Sequence, residues 1–255
     1  MFKHFRIIPI LLYKNQGLYK GIEFKNHIYI GDALNTIHVF NEKKVDELFL
    51  VDIDGSITGE KIPINIIEKM AQECYFPFGI GGGIKTIEEI RDIIKAGAEK
   101  VLINTAAIEN PDIISKASVK FGTQSIVVGI DVKKNIFGKY LVYSHCGRKK
   151  TNLDPLKWAI EAELRGAGEI LLTSINRDGS RKGYDLEIIK KISDAVNIPV
   201  VCCGGAGTYE DFILGIRSGA AAVAGGTIFV LYGEYRAMLI QYPNELEKNK
   251  IYMSK

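Results

Sequence analysis

The sequence predicts an α/β protein, specifically a (β/α)8 TIM barrel with half-barrel internal duplication. Its length of 255 residues is close to the ~250 that one such barrel usually needs. Short apolar runs alternate with segments of helical periodicity, the pattern of parallel strands joined by crossover helices. The two halves of the chain also resemble each other. We therefore expect one domain over residues 1–255, with half-barrels at approximately 1–123 and 124–240.

The internal repeat is clearest in two segments that lie 122 residues apart. Residues 47–55 and residues 169–179 each begin with a glutamate, continue through an apolar run and end in a polar turn that contains glycine. The same offset relates residues 96–98 to residues 218–220. A repeat of this length is too long for a solenoid unit and indicates duplicated half-barrels.

Eight strands can be assigned in order from the apolar runs. They are residues 5–12, 47–53, 76–80, 100–103, 125–130, 170–174, 199–203 and 220–224. Helical periodicity predicts helices at residues 32–44, 62–74, 156–164 and 186–195. Thr86 forms a capping box with Glu89 that starts another helix, and Pro111 opens a further one. Residues 140–144 are expected to form a hairpin arm, and residues 13–34 a long loop of the kind that often serves as a lid.

Composition and charge exclude several classes of protein. Hydrophobic residues at 47% and charged residues at 25% are typical of globular domains. The net charge of +3 comes from scattered lysines and arginines, which favours a small anionic substrate over nucleic acid. We expect no signal peptide and no membrane span. The adjacent Cys202 and Cys203 should pack in the core of a cytoplasmic protein.

Glycine-rich turns follow four predicted strands at matching places in the two halves. Residues 81–83 and 104–105 follow the third and fourth strands, and residues 204–207 and 225–227 follow the seventh and eighth. Glycine lets backbone N–H groups approach an anion, and the start of the next helix adds donors. We predict a phosphate site in each half. The alternative is that these glycines only form tight turns.

Asp131 is the predicted catalytic carboxylate because it closes the fifth strand, at the end where barrel enzymes carry their chemistry. The alternative is a structural helix cap or ion pair. Aligning Lys14 with Lys133 puts Leu12 at the equivalent position of the first half. A pair of carboxylates would need an acid there, and leucine cannot transfer a proton. The duplication is therefore chemically asymmetric.

Three other polar residues are lesser candidates for the site. Asp52 and Asp178 follow the second and sixth strands, where they either orient loops or accept a hydrogen bond from a substrate hydroxyl. Lys20, in the predicted loop, either reaches an anionic substrate or is a solvated surface lysine. The four histidines show no ligand spacing, and we predict neither a metal nor a cofactor.

Four charged residues stand at or near the starts of predicted strands. They are Arg6, Glu47, Lys100 and Glu169. Strand starts meet at the N-terminal face of a barrel, so these residues should form a ring of alternating charge that plugs this face. The alternative is a network that only stabilises the fold, the usual role of that face. We call these four residues the charged ring.

Eight motifs match one known family in order and in register. They are residues 6–9, Asp46-Glu47-Leu48, Gly81-Gly82-Gly83-Ile84, residues 100–107, residues 166–174, Arg177-Asp178-Gly179, Gly183-Tyr184-Asp185 and residues 204–207. Together they resemble the cyclase subunit of imidazole glycerol phosphate synthase over about residues 4–235. The resemblance implies a TIM barrel with a phosphate site in each half and a small phosphorylated substrate. It also implies a glutaminase subunit on the N-terminal face, from which ammonia passes through the barrel.

The resemblance also implies individual roles. The charged ring matches the ammonia gate, Glu99 the contact with the partner subunit, and Asp131 one of two essential aspartates. Substrate or phosphate binding is implied for Lys20, Asp52, Gly82, Gly83, Asn104, Thr105, Thr173, Asp178, Gly179, Gly204, Gly205, Gly226 and Thr227.

The chain departs from the family at functional positions. Leu12 corresponds to the second essential aspartate, and Asn176 replaces an aspartate of the signature in residues 173–179. The segment after the first strand is more apolar, with Phe24, His27, Tyr29 and Ile30. We therefore favour a paralogous branch that amidates a nucleotide-linked sugar for surface polysaccharide or glycan, with a third, sugar-modifying protein as partner. The alternatives are the cyclase of histidine biosynthesis and a non-catalytic ammonia conduit that activates the glutaminase.

Overall fold

The computed structural model describes residues 5–233 and 235–253. Its strands are β1 (Arg6–Lys14), β2 (Gly17–Ile22), β3 (Lys25–Gly31), β4 (Leu48–Asp52), β5 (Phe78–Gly81), β6 (Lys100–Ile103), β7 (Ile126–Lys134), β8 (Tyr140–Ser144), β9 (Lys149–Lys150), β10 (Glu169–Ser174), β11 (Val200–Cys203), β12 (Ala222–Gly225), β13 (Leu231–Tyr232) and β14 (Ala237–Met238). Its helices are α1 (Ala33–Glu42), α2 (Gly55–Thr58), α3 (Ile64–Glu73), α4 (Ile87–Lys95), α5 (Thr105–Glu109), α6 (Asp112–Phe121), α7 (Pro155–Leu164), α8 (Leu186–Ser193), α9 (Tyr209–Arg217), α10 (Thr227–Val230) and α11 (Glu245–Met253).

Eight parallel strands close into a barrel. Their order is β10-β11-β12-β1-β4-β5-β6-β7, and the pairing of β7 with β10 completes the cylinder. Helices follow the strands around the outside, as crossover connections between parallel strands require. The predicted (β/α)8 barrel is confirmed. Within the described residues, no helix has both the length and the apolar character needed to cross a membrane.

Residues 13–34 do not form the predicted loop. β1 continues to Lys14 and pairs antiparallel with β2, which pairs antiparallel with β3. The turn between β1 and β2 has positive φ at Asn15 and Gln16, the backbone that two-residue hairpins favour. Gly17 and Gly21 are residues typical of loops, but both lie within β2, where a Cβ would meet the Tyr29 ring at 2.6 Å and the Lys25 carbonyl at 2.4 Å. They mark close approach to β3.

The second half has a similar extension. β7 continues beyond the barrel to Lys134 and pairs antiparallel with β8, and β8 pairs with β9. The predicted hairpin arm at residues 140–144 is β8. Both halves therefore add antiparallel strands to their first barrel strand, at the carboxyl end. These additions rise over one end of the barrel and bring new side chains to it.

The apolar core has two layers. A large cluster packs between the strands and the surrounding helices, and a smaller one fills the barrel interior. Cys202 belongs to the outer layer and Cys203 borders the inner one, because adjacent strand residues point to opposite faces. The inner layer consists of Ile8, Ile10, Phe49, Leu102, Val127, Leu171, Val201, Ala222 and Ala224.

Local contacts repeat between the halves at the 122-residue offset. Thr86 and Thr208 each begin a helix with a capping box. Gly82 and Gly204 have φ of 95° and 87°, and a Cβ would strike the Asp52 carbonyl at 2.2 Å and the Ser174 carbonyl at 2.7 Å. Left-handed backbone and this close approach require glycine at both places. The repeat therefore sets identical turns after β5 and β11.

Candidate active site

A cavity opens at the carboxyl ends of the barrel strands, and most of the predicted site residues line it. We call it the active-site cavity. The predicted residues in its wall are Leu12, Lys20, Asp52, Gly82, Gly83, Asn104, Thr105, Asp131, Thr173, Asp178 and Gly226. Gly179, Gly204, Gly205 and Thr227, which the structure also describes, do not line it. Barrel enzymes carry their chemistry at this face.

Asp131 lies in the cavity wall with hydrogen-bond donors around it. Asn104 Nδ2 donates to its Oδ2 over 2.8 Å, and the Thr173 hydroxyl also contacts it. Burial and the negative charge of Asp178 raise its pKa to about 7, although the hydrogen bonds from Thr173 and Asn104 oppose the rise. A carboxyl that is half protonated near neutral pH suits both proton donation and proton acceptance.

Leu12 occupies the position equivalent to Asp131. Leu12 pairs with Val51 in the barrel, and Asp131 pairs with Thr173. Val51 and Thr173 are equivalent residues of the 122-residue repeat, so their partners Leu12 and Asp131 are equivalent as well. The Leu12 side chain borders the inner apolar layer and lines the active-site cavity. The strand register thus relates Leu12 to Asp131, and Leu12 presents a hydrocarbon to the cavity. That Leu12 replaces an essential acid stays a prediction.

Two other carboxylates line the cavity, and both have partners. Asp52 Oδ1 accepts hydrogen bonds from the backbone N–H groups of Asp54 and Gly55, so this side chain holds the turn after β4. Asp178 is 7% exposed, and its Oδ1 lies 3.7 Å from Lys20 Nζ. The other oxygen of Asp178 is buried without a hydrogen-bond partner, so it remains free to accept a donor.

Lys20 reaches the cavity from β2 and is 5% exposed. Its ammonium lies against Gly226, where a Cβ would come within 2.5 Å of Nζ. A backbone hydrogen bond also anchors the hairpin of β2 and β3 to the turn after β10, because the Glu23 N–H donates to the Asp178 carbonyl over 3.0 Å. Gly179 allows this contact, since a Cβ there would meet the Gly21 carbonyl at 2.2 Å.

Several cavity residues were not among the predicted binding residues. Phe24 and His27 reach the cavity from the hairpin of β2 and β3, and Lys85, Cys146 and Arg148 also line it. Burial and the charges of Lys20 and Lys14 lower the pKa of His27, which keeps the ring neutral. Burial raises the pKa of Cys146 to about 11, so this thiol is a poor nucleophile at neutral pH.

The charged ring forms at the opposite end of the barrel. Arg6 makes ion pairs with Glu47 and Glu169. Lys100 Nζ lies 2.8 Å from Glu47 Oε1 and 2.7 Å from Glu169 Oε2. Both glutamates are buried. Burial opposes the charge of Arg6, but the hydrogen bonds and charges of Glu169 and Glu47 outweigh it and raise the pKa of the guanidinium. Arg6 therefore keeps its positive charge.

Glu99 lies beside the charged ring on the same face. Its side chain is exposed, and its Oε2 accepts a hydrogen bond from the Phe78 N–H over 2.9 Å. This bond fixes the carboxylate at the rim of the N-terminal face. Its predicted role in contact with a partner subunit stays a prediction.

The fold and the site together define a class of protein: a barrel enzyme with a half-buried carboxyl among glycine-rich turns and a charged ring at the far end. Among the described residues, no group of three or more His, Cys, Asp or Glu side chains is arranged to hold a metal ion.

Comparisons with known proteins agree with this class. The sequence model described as histidine biosynthesis protein matches residues 6–236. A putative imidazole glycerol phosphate synthase subunit hisF2 of Pseudomonas aeruginosa is 45% identical over 240 residues, covering 94% of this chain and 96% of the relative. The HisF subunits of Petrotoga mobilis and Pyrococcus furiosus are each 45% identical, covering 91% and 90% of this chain and 92% and 91% of the relatives. The chain belongs to the HisF family of imidazole glycerol phosphate synthase cyclase subunits.

Proposed function

We propose that this chain is the ammonia-using synthase subunit of a glutamine amidotransferase. In this proposal a glutaminase subunit docks on the N-terminal face near Glu99, and the charged ring admits ammonia. The ammonia then crosses the barrel interior and reacts beside Asp131 with a phosphate-bearing substrate. The arrangement of the charged ring, the inner apolar layer and the cavity along one barrel supports this proposal.

The inner apolar layer favours neutral ammonia over ammonium. Its side chains offer no acceptor to an ion, and moving a small ion into such surroundings costs several kcal/mol or more. Neutral ammonia lacks this penalty. The layer therefore delivers a nucleophile that already has a free lone pair, and the cavity needs no base to deprotonate it on arrival.

We propose a nucleotide-linked sugar as the acceptor, amidated for surface polysaccharide or glycan. Leu12 is the observation that carries this choice. Cyclisation by a pair of carboxylates would lack one member here, and losing one member of an acid/base pair typically costs ~10²–10⁴ in rate. Attack of ammonia on an already activated group requires less proton transfer, and Asp131 alone suits it.

The second candidate is the cyclase reaction of histidine biosynthesis, which forms imidazole glycerol phosphate and the aminoimidazole carboxamide ribotide. The comparisons favour this candidate, because each of the relatives described above carries imidazole glycerol phosphate synthase in its name. Asp178 is buried and has one oxygen without a hydrogen-bond partner, so in this candidate it could serve as the second carboxylate of the cyclisation.

Complementation of a histidine auxotroph that lacks the cyclase subunit distinguishes the two acceptors. We expect the wild-type chain to fail, with its glutaminase partner co-expressed, and Leu12→Asp to raise cyclase activity by about tenfold or more, since it restores the missing acid. Leu12→Asn is the matched control, because asparagine has the size and polarity of aspartate but no ionisable carboxyl group. Growth supported by the wild-type chain would establish the histidine reaction instead.

A further inference from the structure

The second half of the chain carries an arm whose tip has no part in the proposed reaction. The arm consists of residues 133–150, in which β7 runs beyond the barrel, turns back as β8 and ends in β9. An extended strand advances about 3.3 Å per residue, so the tip at residues 135–138 stands about 15 Å beyond Asp131. The tip therefore projects from the end of the barrel at which the active-site cavity opens.

This arm is basic along its whole length. It contains six cationic residues and no aspartate or glutamate, the cations being Lys133, Lys134, Lys139, Arg148, Lys149 and Lys150. The whole chain has a net charge of +3, so the residues outside the arm together carry a net negative charge. Positive charge is therefore concentrated in this one extension, and we call residues 133–150 the basic arm.

Acidic groups elsewhere in the fold neutralise only part of this charge. Lys134 Nζ lies 2.6 Å from Glu187 Oε2, and Arg148 lies 3.5 Å from Asp54. Within residues 5–233 and 235–253, the other four cations of the basic arm make no ion pair. Three of these four are exposed, namely Lys139, Lys149 and Lys150. The basic arm thus offers unmatched positive charge to an external partner.

The tip of the basic arm holds two large apolar side chains in solvent. Ile136 is 94% exposed and Phe137 is 88% exposed. The turn itself is firmly built, because Asn135 Oδ1 accepts hydrogen bonds from the N–H groups of Phe137 and Lys139 over 3.0 and 2.9 Å. Gly138 completes it with a φ of 79°. Turns usually carry small or polar residues, so an isoleucine and a phenylalanine here serve a purpose other than folding.

An anionic lipid surface fits both features of the basic arm. Lysines close to such a surface are attracted by its negative potential, and a projecting apolar tip can enter the boundary between headgroups and acyl chains. A second copy of the chain would instead bring like charges together. A nucleic acid would match the charge, but phosphate contacts need no apolar tip, and stacking on a base would use the Phe137 ring and leave Ile136 uncovered.

We infer that the basic arm docks the protein on an anionic membrane surface, with Ile136 and Phe137 inserted among the lipid headgroups. The hairpin of β2 and β3 rises at the same end of the barrel and adds further exposed apolar side chains, those of Ile22, Ile28 and Tyr29. The charged ring lies at the opposite end. Docking through the basic arm therefore leaves the N-terminal face free for the glutaminase of the proposed function.

Cosedimentation with lipid vesicles tests the inference on the intact chain. We expect binding to vesicles of phosphatidylcholine mixed with phosphatidylglycerol, and binding at least about tenfold weaker to phosphatidylcholine alone. Phe137→Ser should weaken binding to the mixed vesicles by about tenfold or more. Val119→Ser is the matched control, at an 89% exposed residue of α6, and should change binding less than about twofold. Lys139→Gln should weaken binding about fivefold, and Lys190→Gln, on α8, less than about twofold.

Phe137→Trp provides a second measurement, because a tryptophan that enters the headgroup region emits at shorter wavelength. We expect this shift with the mixed vesicles and not with phosphatidylcholine alone, while Trp158, 4% exposed within the fold, should not respond. No binding to the mixed vesicles, equal binding to both kinds of vesicle, or unchanged affinity after Phe137→Ser would each overturn the inference. Tighter binding of a random-sequence DNA duplex than of the mixed vesicles would overturn it in favour of a nucleic acid.

Discussion

Asp131→Asn is expected to lower ammonia-dependent product formation by about 10²–10⁴-fold, the usual loss when a general acid/base group is removed. The side chain lies in the active-site cavity, and burial together with Asp178 raises its pKa to about 7. Product formation by the complex with its glutaminase, supplied with glutamine, measures this loss. Unchanged turnover would instead support the non-catalytic conduit, in which ammonia reacts in another protein.

The same substitution should stabilise the protein at alkaline pH. The ordinary pKa of an aspartate is 3.8, and that of Asp131 in the fold is about 7. The folded state therefore holds this proton more tightly than the unfolded state, and the contribution of Asp131 to stability falls as pH rises from about 4 to about 7. That gap is worth up to about 4 kcal/mol. We expect Asp131→Asn to be about 2–4 kcal/mol more stable than wild type at pH 8 and nearly equal at pH 4.

Urea unfolding at the two pH values measures this difference. Asp112→Asn is the control, because Asp112 has a side chain 66% exposed and pairs with Arg165 at the surface. It should change stability by less than about 1 kcal/mol at either pH. A variant at Asp131 that is less stable than wild type at pH 8 would show that the carboxylate serves the fold. A gain in stability with a loss of turnover would show that the site holds an unfavourable charge for its chemistry.

The sequence predicted the barrel because its evidence was local and repeated. Apolar strands, the capping box at Thr86 and the glycines after β5 and β11 each act within a few residues. Asp131 and Leu12 could be aligned for the same reason, since the strand register repeats in both halves. Side chains at strand ends meet automatically once a parallel barrel closes.

What the sequence did not predict depends on contacts between distant segments. Gly17 and Gly21 look like loop residues until β3 is placed against them. Cys146 and Arg148 reach the cavity only because β8 and β9 fold back from β7. Gly179 matches a phosphate-binding motif, yet whether an anion or a hairpin fills the space above it depends on a segment more than 150 residues earlier. Duplication predicts equivalent turns, but it does not predict which distant segment packs over each of them.

Glu169→Gln in the charged ring is expected to destabilise the fold by about 3 kcal/mol. It should also lower product formation from glutamine much more than product formation from added ammonium. Glu169 pairs with both Arg6 and Lys100, and its loss leaves two cations with one carboxylate in a largely buried site, a change that usually costs several kcal/mol. Glutamine-driven product formation should fall by about tenfold or more, since the ring no longer holds its geometry. Formation driven by added ammonium salt, which also enters from the open cavity, should be nearly retained.

Lys100→Ala should also lower product formation from glutamine more than from ammonium, because Lys100, like Arg6, pairs with both Glu47 and Glu169. Glu161→Gln is the control. It breaks the exposed ion pair between Glu161 of α7 and Arg165, which is worth less than about 1 kcal/mol. Product formation from glutamine and from ammonium should both be unaffected. Equal losses with glutamine and with ammonium would make the ring a stability network. A loss confined to glutamine, in a complex whose glutaminase is still bound and active, requires that ammonia pass between these four side chains, since the chemistry at the opposite end of the barrel is spared.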